Sequence, residues 1–138
     1  MANRVLILIF DTSVFIDHLR TNKFADRFLN LKGLIRNSSV VLAELLRGAT
    51  QPEEVDFVKT LAKNHATLSP TKNTWLESGE ILWKINRDKG FPPDKLRDLH
   101  FDVLIALTAR TCGAMVVTSN KSDFELIRHY RTFALEIW

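Results

Sequence analysis

The sequence predicts an α/β protein, a three-layer α/β/α sandwich built around a central and mainly parallel sheet. Two short segments, residues 5–10 and 114–117, are apolar without interruption. A strand that is apolar on both sides is typical of a parallel sheet that helices cover on both faces. Between these segments apolar residues recur at helical spacing, so strands and helices alternate along the chain. Because the sequence has no Ser/Gly-rich linker and no internal repeat, we expect residues 1–138 to form one domain.

The first half of the chain begins with a strand that leads directly into a helix. Asp11, Thr12 and Ser13 follow the first apolar segment, and these residue types cap helices. Thr50 is a candidate cap for a later helix, because Pro52 follows it closely and Glu53 stands three residues beyond it. The elements predicted here are strands at residues 5–10, 34–35 and 66–68, a break at 37–39, and helices that begin after Ser13, at residue 40 (ending near Gly48) and near residue 52.

The second half of the chain contains two longer helices and two further strands. Trp75, Leu82 and Trp83 recur at the spacing of one helix face, and we interpret them as core residues. Lys89 and Gly90 are expected to end that helix. The remaining predicted elements are a helix that Asp98 caps and that runs to Cys112 and Gly113, a strand at residues 114–117, a turn at 118–120, a short helix at 124–127 and a last strand at 133–137.

Composition excludes several classes of protein. With 46% hydrophobic residues, a net charge of +3, five glycines and four prolines, the chain is neither disordered nor collagen-like. The single cysteine, Cys112, cannot form an internal disulfide, and four scattered histidines do not predict a zinc site. The longest apolar run has six residues, which is too short for a membrane span or a usual signal peptide. We therefore expect a cytoplasmic protein that is not associated with a membrane.

Four acidic residues fall where the predicted topology would bring them together. Asp11 and Asp123 follow strands, and Glu44 and Asp102 lie early in helices. In open parallel sheets, ligands bind at the carboxyl ends of the strands. Taken alone, Asp11 is better explained as a helix cap, and Asp123 alone could cap the helix that begins at Phe124. Asp98, one turn before Asp102, is interpreted as a cap rather than as a further ligand.

Glu44 and Asp102 are harder to explain as surface charges, because each interrupts an apolar run. A buried carboxylate without a partner is costly, and no Lys or Arg lies within the same runs. A divalent cation would compensate the charges, and an all-oxygen ligand set suits Mg²⁺ or Mn²⁺. A metal site and a set of separate structural roles both remain open at this point. Asp17, close to Asp11 in the sequence, is interpreted as a solvated charge.

Four segments of the sequence, taken in order, resemble the PIN-domain ribonucleases, and most closely the compact toxins of bacterial VapBC toxin–antitoxin modules. The order, spacing and total length fit, so the resemblance covers nearly the whole chain. The matching segments are VLILIFDTS (5–13), SVVLAELLRG (39–48), DVLIALTA (102–109) and VVTSNKSDF (116–124).

This resemblance implies a Mg²⁺-dependent endoribonuclease that leaves 5′-phosphate and 3′-hydroxyl ends. It also implies a cognate antitoxin as partner and a homodimer. At the family's acidic, catalytic and metal-binding positions stand Asp11, Glu44, Asp102 and Asp123, and at its supporting positions stand Thr118, Asn120 and Ser13. The sequence departs from the family at two positions. Ser13 stands where asparagine is frequent, and Leu42 stands where a hydroxyl residue often precedes the glutamate.

The charge balance agrees with an anionic substrate such as RNA. The chain has 19 Lys and Arg residues against 16 Asp and Glu, and the four proposed ligands belong to the acidic set. Part of the tryptophan-bearing helix face, with Phe24 and Phe28, is a candidate groove for an antitoxin helix or a second copy of the chain. The basic residues nearest to the four segments, and hence the candidates for RNA binding, are Lys121, Arg97, Arg110, Arg47 and Lys23.

Other functions of α/β domains with an acidic site fit the sequence less well. A receiver-like signalling domain requires adjacent acids after the first strand and an acceptor Asp after a middle strand. Thr12 follows Asp11 instead, and no Asp follows Leu68 directly. A phosphatase of the haloacid-dehalogenase type requires a second Asp where Ser13 stands. A PIN-fold RNA-processing nuclease and a non-catalytic module that binds RNA or a partner both remain open.

Overall fold

The computed structural model describes residues 5–138. The helices and strands alternate along most of this range, as the apolar pattern predicts. In chain order they are β1 (Ile7–Phe10), α1 (Thr12–Thr21), α2 (Ala25–Leu29), β2 (Leu34–Ile35), β3 (Asn37–Ser38), α3 (Ser39–Gly48), α4 (Pro52–Asn64), β4 (Thr67–Leu68), α5 (Lys72–Lys89), α6 (Pro93–Thr111), β5 (Met115–Thr118), α7 (Lys121–Tyr130) and β6 (Ala134–Ile137).

The central sheet has four parallel strands in the order β2-β1-β5-β6. In its register, Ile9 of β1 is opposite Val116 of β5. A second, two-stranded parallel sheet joins β3 to β4. All strand pairs among residues 5–138 are parallel, so the predicted α/β class with a central parallel sheet flanked by helices is confirmed.

The core lies where β1, β5 and α6 meet. Ile9 and Phe10 of β1 and Val116 and Val117 of β5 are buried, which explains why both segments are apolar without alternation. Helix α6 is buried along its second half, where residues 103–109 are all removed from solvent. Asp102 directly precedes this buried part of α6.

Two predicted helix starts and one predicted cap differ from the structure. Helix α6 begins at Pro93, so Asp98 is an exposed residue within the helix and does not cap it. Helix α7 begins at Lys121, which places Asp123 in its first turn. Thr50 does not cap α4; Gln51 holds the cap position, while the Thr50 hydroxyl donates to Glu54. Helices α4 and α6 both begin at a proline, which is favoured in the first turn of a helix because it has no backbone N–H to donate. Helix α2 and strand β3 were not predicted.

The interpretation of the tryptophans as core residues was wrong. Trp75 and Trp83 are 51% and 63% exposed, and Leu82 is only half-buried. The buried face of α5 is instead formed by Thr74, Ser78, Ile81 and Ile85.

Small polar residues can occupy that face because their hydroxyl groups find partners. The Ser78 hydroxyl is 3.0 Å from Nε2 of His100 on α6 and also donates to the carbonyl of Trp75. The structure does not join Phe24 and Phe28 to the tryptophans of α5. Both phenylalanines pack against Trp138.

No helix among residues 5–138 is both long enough and apolar enough to cross a bilayer.

Two glycines, one within α5 and one at its end, are expected to respond in opposite ways to alanine. Gly90 follows the last turn with a φ of 63°, a left-handed conformation in which alanine costs about 1 kcal/mol. Gly79 lies inside the helix, where a methyl group at its Cα would meet open space, so Gly79→Ala should raise the free energy of unfolding by about 0.5–1 kcal/mol. Urea denaturation of both variants measures the two effects. A stabilising Gly90→Ala would contradict the assigned end of α5.

Candidate active site

Asp11 directly follows β1 and lies almost entirely out of solvent. Its backbone N–H donates to the carbonyl of Val117 at 2.9 Å, which continues the pairing of β1 with β5. The side chain makes no capping bond to α1; its Oδ2 accepts from the Ser13 hydroxyl at 2.7 Å and the Thr118 hydroxyl at 2.8 Å. Burial raises the pKa of Asp11 although these hydrogen bonds oppose the shift. Asp11 is therefore held in one orientation at the carboxyl end of the sheet.

Glu44 reaches the same region from α3. The Ser38 hydroxyl caps this helix by accepting from the N–H of Val41. Oε1 of Glu44 accepts from the Thr12 hydroxyl at 3.0 Å. Burial raises the pKa of Glu44, and the charges of Asp11 and Asp98 add to the shift. Because Thr12 directly follows Asp11, its hydrogen bond holds Glu44 near Asp11.

Asp102, in α6, is strongly perturbed by its surroundings. Burial, followed by the negative charges of Asp11, Glu44 and Asp123, raises its pKa to about 9. Lys95 acts in the opposite direction. Since burial and charge dominate this shift, Asp102 lies within the field of the other three carboxylates. Strongly perturbed acids of this kind are concentrated at functional sites.

Asp123 comes from the first turn of α7 and is the only one of the four acids in an ion pair among residues 5–138. Its Oδ1 accepts from Nζ of Lys95 at 2.7 Å, and its Oδ2 accepts from Nδ2 of Asn120 at 3.0 Å. The Asn120 N–H in turn donates to the Thr118 hydroxyl at 2.9 Å. Thr118 thus connects the environment of Asp123 to that of Asp11.

The four carboxylates offer the oxygen ligands that a hard divalent cation prefers. Burial is the main cause of the raised pKa values of Asp11, Glu44 and Asp102, and neighbouring acids add to the shift at Glu44 and Asp102. The donor chemistry therefore fits Mg²⁺ or Mn²⁺. No group of three or more His, Cys, Asp or Glu side chains within residues 5–138 has the geometry to hold a metal ion as the side chains stand. The ion pair between Lys95 and Asp123 is one contact that would have to rearrange.

The five basic residues predicted to bind RNA lie at different distances from these acids. Arg47 is close enough to lower the pKa of Glu44, and its guanidinium lies 5.0 Å from the centre of the Phe101 ring. Lys121 is exposed, two residues before Asp123.

The other three basic residues are not brought to the acids. Arg110 lies near the opposite end of α6, where it donates to the Thr132 hydroxyl at 3.0 Å, ahead of β6. Arg97 pairs with Asp94 on the exposed surface. Lys23 is exposed and lies over the Phe24 ring. None of the three forms an ion pair with any of the four carboxylates.

Sequence reasoning missed three residues of this region. Thr12 supports Glu44, and the only signal was its place beside Asp11. Lys95 lies in a loop-like stretch of the sequence and gave no signal. Asp17 is not simply a solvated charge, in contrast to the interpretation from the sequence: it is half-buried, and its Oδ2 accepts from the Ser119 hydroxyl at 2.9 Å.

Comparison with known proteins identifies the family and the fold. The family model described as PIN domain matches residues 8–130. The chain is similar to the crystal structure of DNA-bound VapBC from Salmonella typhimurium, with 26% identity and a TM-score of 0.72. That alignment covers 96% of this chain and 98% of the other. No curated protein matches the chain.

Two more distant structures share the fold. VapBC-1 from nontypeable Haemophilus influenzae has 23% identity and a TM-score of 0.71, with 96% of this chain and 98% of that chain covered. VapBC2 from Rickettsia felis, bound to a DNA fragment from its promoter, has 19% identity and a TM-score of 0.71, with 96% and 99% covered.

The raised pKa of Asp102 predicts that this residue destabilises the metal-free protein as pH rises. Its pKa is about 9 in the folded protein against the ordinary 3.8, so the neutral form contributes full stability below pH 4 and loses it progressively up to pH 9. Asp102→Asn should therefore raise the free energy of unfolding at pH 7 in EDTA by roughly 2–4 kcal/mol, since each pKa unit is worth about 1.4 kcal/mol. Asp56→Asn, at an exposed acid on α4, serves as control. A gain that does not grow between pH 5 and pH 8 would contradict the assigned cause.

Removal of the Thr118 hydroxyl is expected to disturb both Asp11 and Asn120. Thr118→Val should lower the free energy of unfolding by about 1–3 kcal/mol. It should also weaken Mn²⁺ binding by about tenfold or more, because the ligand loses its orientation. Thr108→Val is the matched control, since this buried hydroxyl donates only to the carbonyl of Leu104 in its own helix. Denaturation and calorimetric Mn²⁺ titration check the pair; equal Mn²⁺ affinities in the two variants would refute the positioning role.

Proposed function

Because the chain belongs to the PIN domain family, we propose that it is a Mg²⁺-dependent endoribonuclease and the toxin of a type II toxin–antitoxin pair. The observation that carries this proposal is the set of four carboxylates from β1, α3, α6 and α7 that act on one another at the carboxyl end of the sheet. Acids on four separate elements have no common structural purpose, whereas a divalent cation would use them all.

The proposed ligands are Asp11, Glu44, Asp102 and Asp123. Mg²⁺, or Mn²⁺ in its place, would lower the pKa of a coordinated water and screen charge on the scissile phosphate when bound. The protein orients the carboxylates through hydrogen bonds from hydroxyl and amide donors. Ser13 and Thr118 fix Asp11, Thr12 fixes Glu44, and Asn120 fixes Asp123. These contacts support the ligand-orienting roles that the family resemblance implies for Ser13, Thr118 and Asn120.

Hydrolysis of an RNA phosphodiester would leave 5′-phosphate and 3′-hydroxyl ends. Arg47 and Lys121 are the basic residues best placed to contact the phosphates, because each lies near one of the acids while remaining exposed. The presence of all four acids supports catalysis over a role limited to binding. The charge of the surface supports an RNA substrate without defining its sequence.

The proposed partners are a cognate antitoxin and a second copy of the chain. The support is the similarity of fold to VapBC, at 26% identity in the Salmonella typhimurium structure. A toxin that acts on RNA would work in the cytoplasm, in agreement with the expectation from cysteine content and the lack of a long apolar run in the sequence.

Substitution of the buried acids tests the nuclease proposal. Asp11→Asn and Asp102→Asn should reduce Mg²⁺-dependent cleavage of RNA to background, because each removes a charged ligand but keeps the shape of the side chain. EDTA should abolish cleavage by the unsubstituted protein, and added Mg²⁺ or Mn²⁺ should restore it. Asp56→Asn, an exposed acid on α4, is the control that keeps full activity.

Folding of the variants decides how a loss is interpreted. Asp102→Asn is expected to be at least as stable as the parent protein, so its inactivity cannot be attributed to unfolding. Cleavage at the parental rate by either variant would refute the roles proposed for these residues.

A further inference from the structure

Lys95 is the one cation that forms an ion pair with any of the four carboxylates among residues 5–138. It lies in the first turn of α6, two helical turns before Asp102, so both residues lie on the same side of the helix. Its Nζ is 2.7 Å from Oδ1 of Asp123, and its side chain remains 36% exposed. The ring of Phe91 lies 6.0 Å from the same ammonium group.

The ammonium of Lys95 acts on more than its direct partner. Its positive charge also lowers the pKa of Asp102, against the larger effects of burial and three negative neighbours. Lys95 therefore supplies part of the charge compensation that a metal ion would supply. Asp123, with Lys95 on one oxygen and Asn120 on the other, has no oxygen without a hydrogen bond in this arrangement.

A divalent ion that takes Asp123 as a ligand meets two obstacles. It must displace the ammonium from Oδ1, and it is repelled by the same charge while Lys95 stays nearby. The flexible four-carbon stem of lysine and its partial exposure allow the ammonium to move away into solvent.

We propose that Lys95 competes with the divalent cation for the carboxylate of Asp123. Lys95 holds Asp123 in the metal-free protein and must release it when the metal binds. Lys95 thereby sets the metal concentration at which the site fills. The inference rests on the proposed metal-dependent nuclease, and it names a positioning residue that acts through Asp123.

A purely structural role for Lys95 makes a different prediction. An ion pair with a partly exposed lysine contributes little to stability, so as a link between α6 and α7 it would affect stability slightly and metal affinity not at all. A competitor, in contrast, changes metal affinity in a defined direction, because its removal leaves Asp123 available and takes away a repulsive charge.

Calorimetric titration of the full chain with Mn²⁺, after treatment with EDTA and dialysis, separates these roles. Lys95→Met should bind Mn²⁺ about tenfold more tightly than the parent protein. Lys95→Arg, which keeps the charge, should stay close to the parent. Lys121→Met is the matched control, since this exposed lysine lies two residues from Asp123 and its loss should change affinity much less. Lys95→Gln provides a second neutral variant should the methionine protein fail to fold.

The outcomes distinguish the inference from the nuclease proposal. Equal or weaker Mn²⁺ binding by the neutral Lys95 variants, with clear binding by the parent, overturns the competitor role and leaves the metal site standing. A similar gain in Lys121→Met also overturns it, because the effect would then be one of general charge. Binding of Mn²⁺ by none of the proteins overturns both proposals.

Discussion

The burial of carboxylates that repel one another is the constraint on which the structure of the candidate site depends. Parallel strands end at a common edge, and β1 and β5 carry Asp11 and Thr118 to that edge from positions 107 residues apart. Helices α3 and α6 add Glu44 and Asp102 from the sides. Burial, followed by the charges of the other three acids, raises the pKa of Asp102 to about 9 and so disfavours its ionised form.

Hydroxyl groups reduce the free-energy cost of burying these carboxylates without neutralising their charge. Thr12, Ser13 and Thr118 all donate to carboxylate oxygens, and they come from the start of α1 and from the end of β5. A buried acceptor that receives hydrogen bonds costs less than one that receives none. The same bonds fix the orientation of Asp11 and Glu44, so stabilisation and preparation for a ligand are one set of contacts.

The sequence was sufficient to predict what depends on local pattern and chain order. Continuous apolar segments identified β1 and β5, and the acid directly after β1 followed from them. The sequence was insufficient for features that depend on contacts between residues far apart in the chain. Nothing near Lys95 indicated that it would reach Asp123, 28 residues further on. The exposure of Trp75 and Trp83 likewise depends on which face of α5 packs against α6. That face carries the small residue Ser78, whose hydroxyl contacts His100 of α6.

The position of Asp102 carries the strongest argument for function over stability. It stands at the edge of the most deeply buried helix, beside residues 103–109, where an amide or an apolar side chain would avoid the cost of desolvation. A carboxylate here makes the metal-free fold less stable at neutral pH, and Lys95 offsets only part of that cost. A cation that binds the folded chain alone would restore the lost stability through linkage. Stability and ligand binding are thus coupled at this residue, and the same charge that weakens the fold attracts the metal.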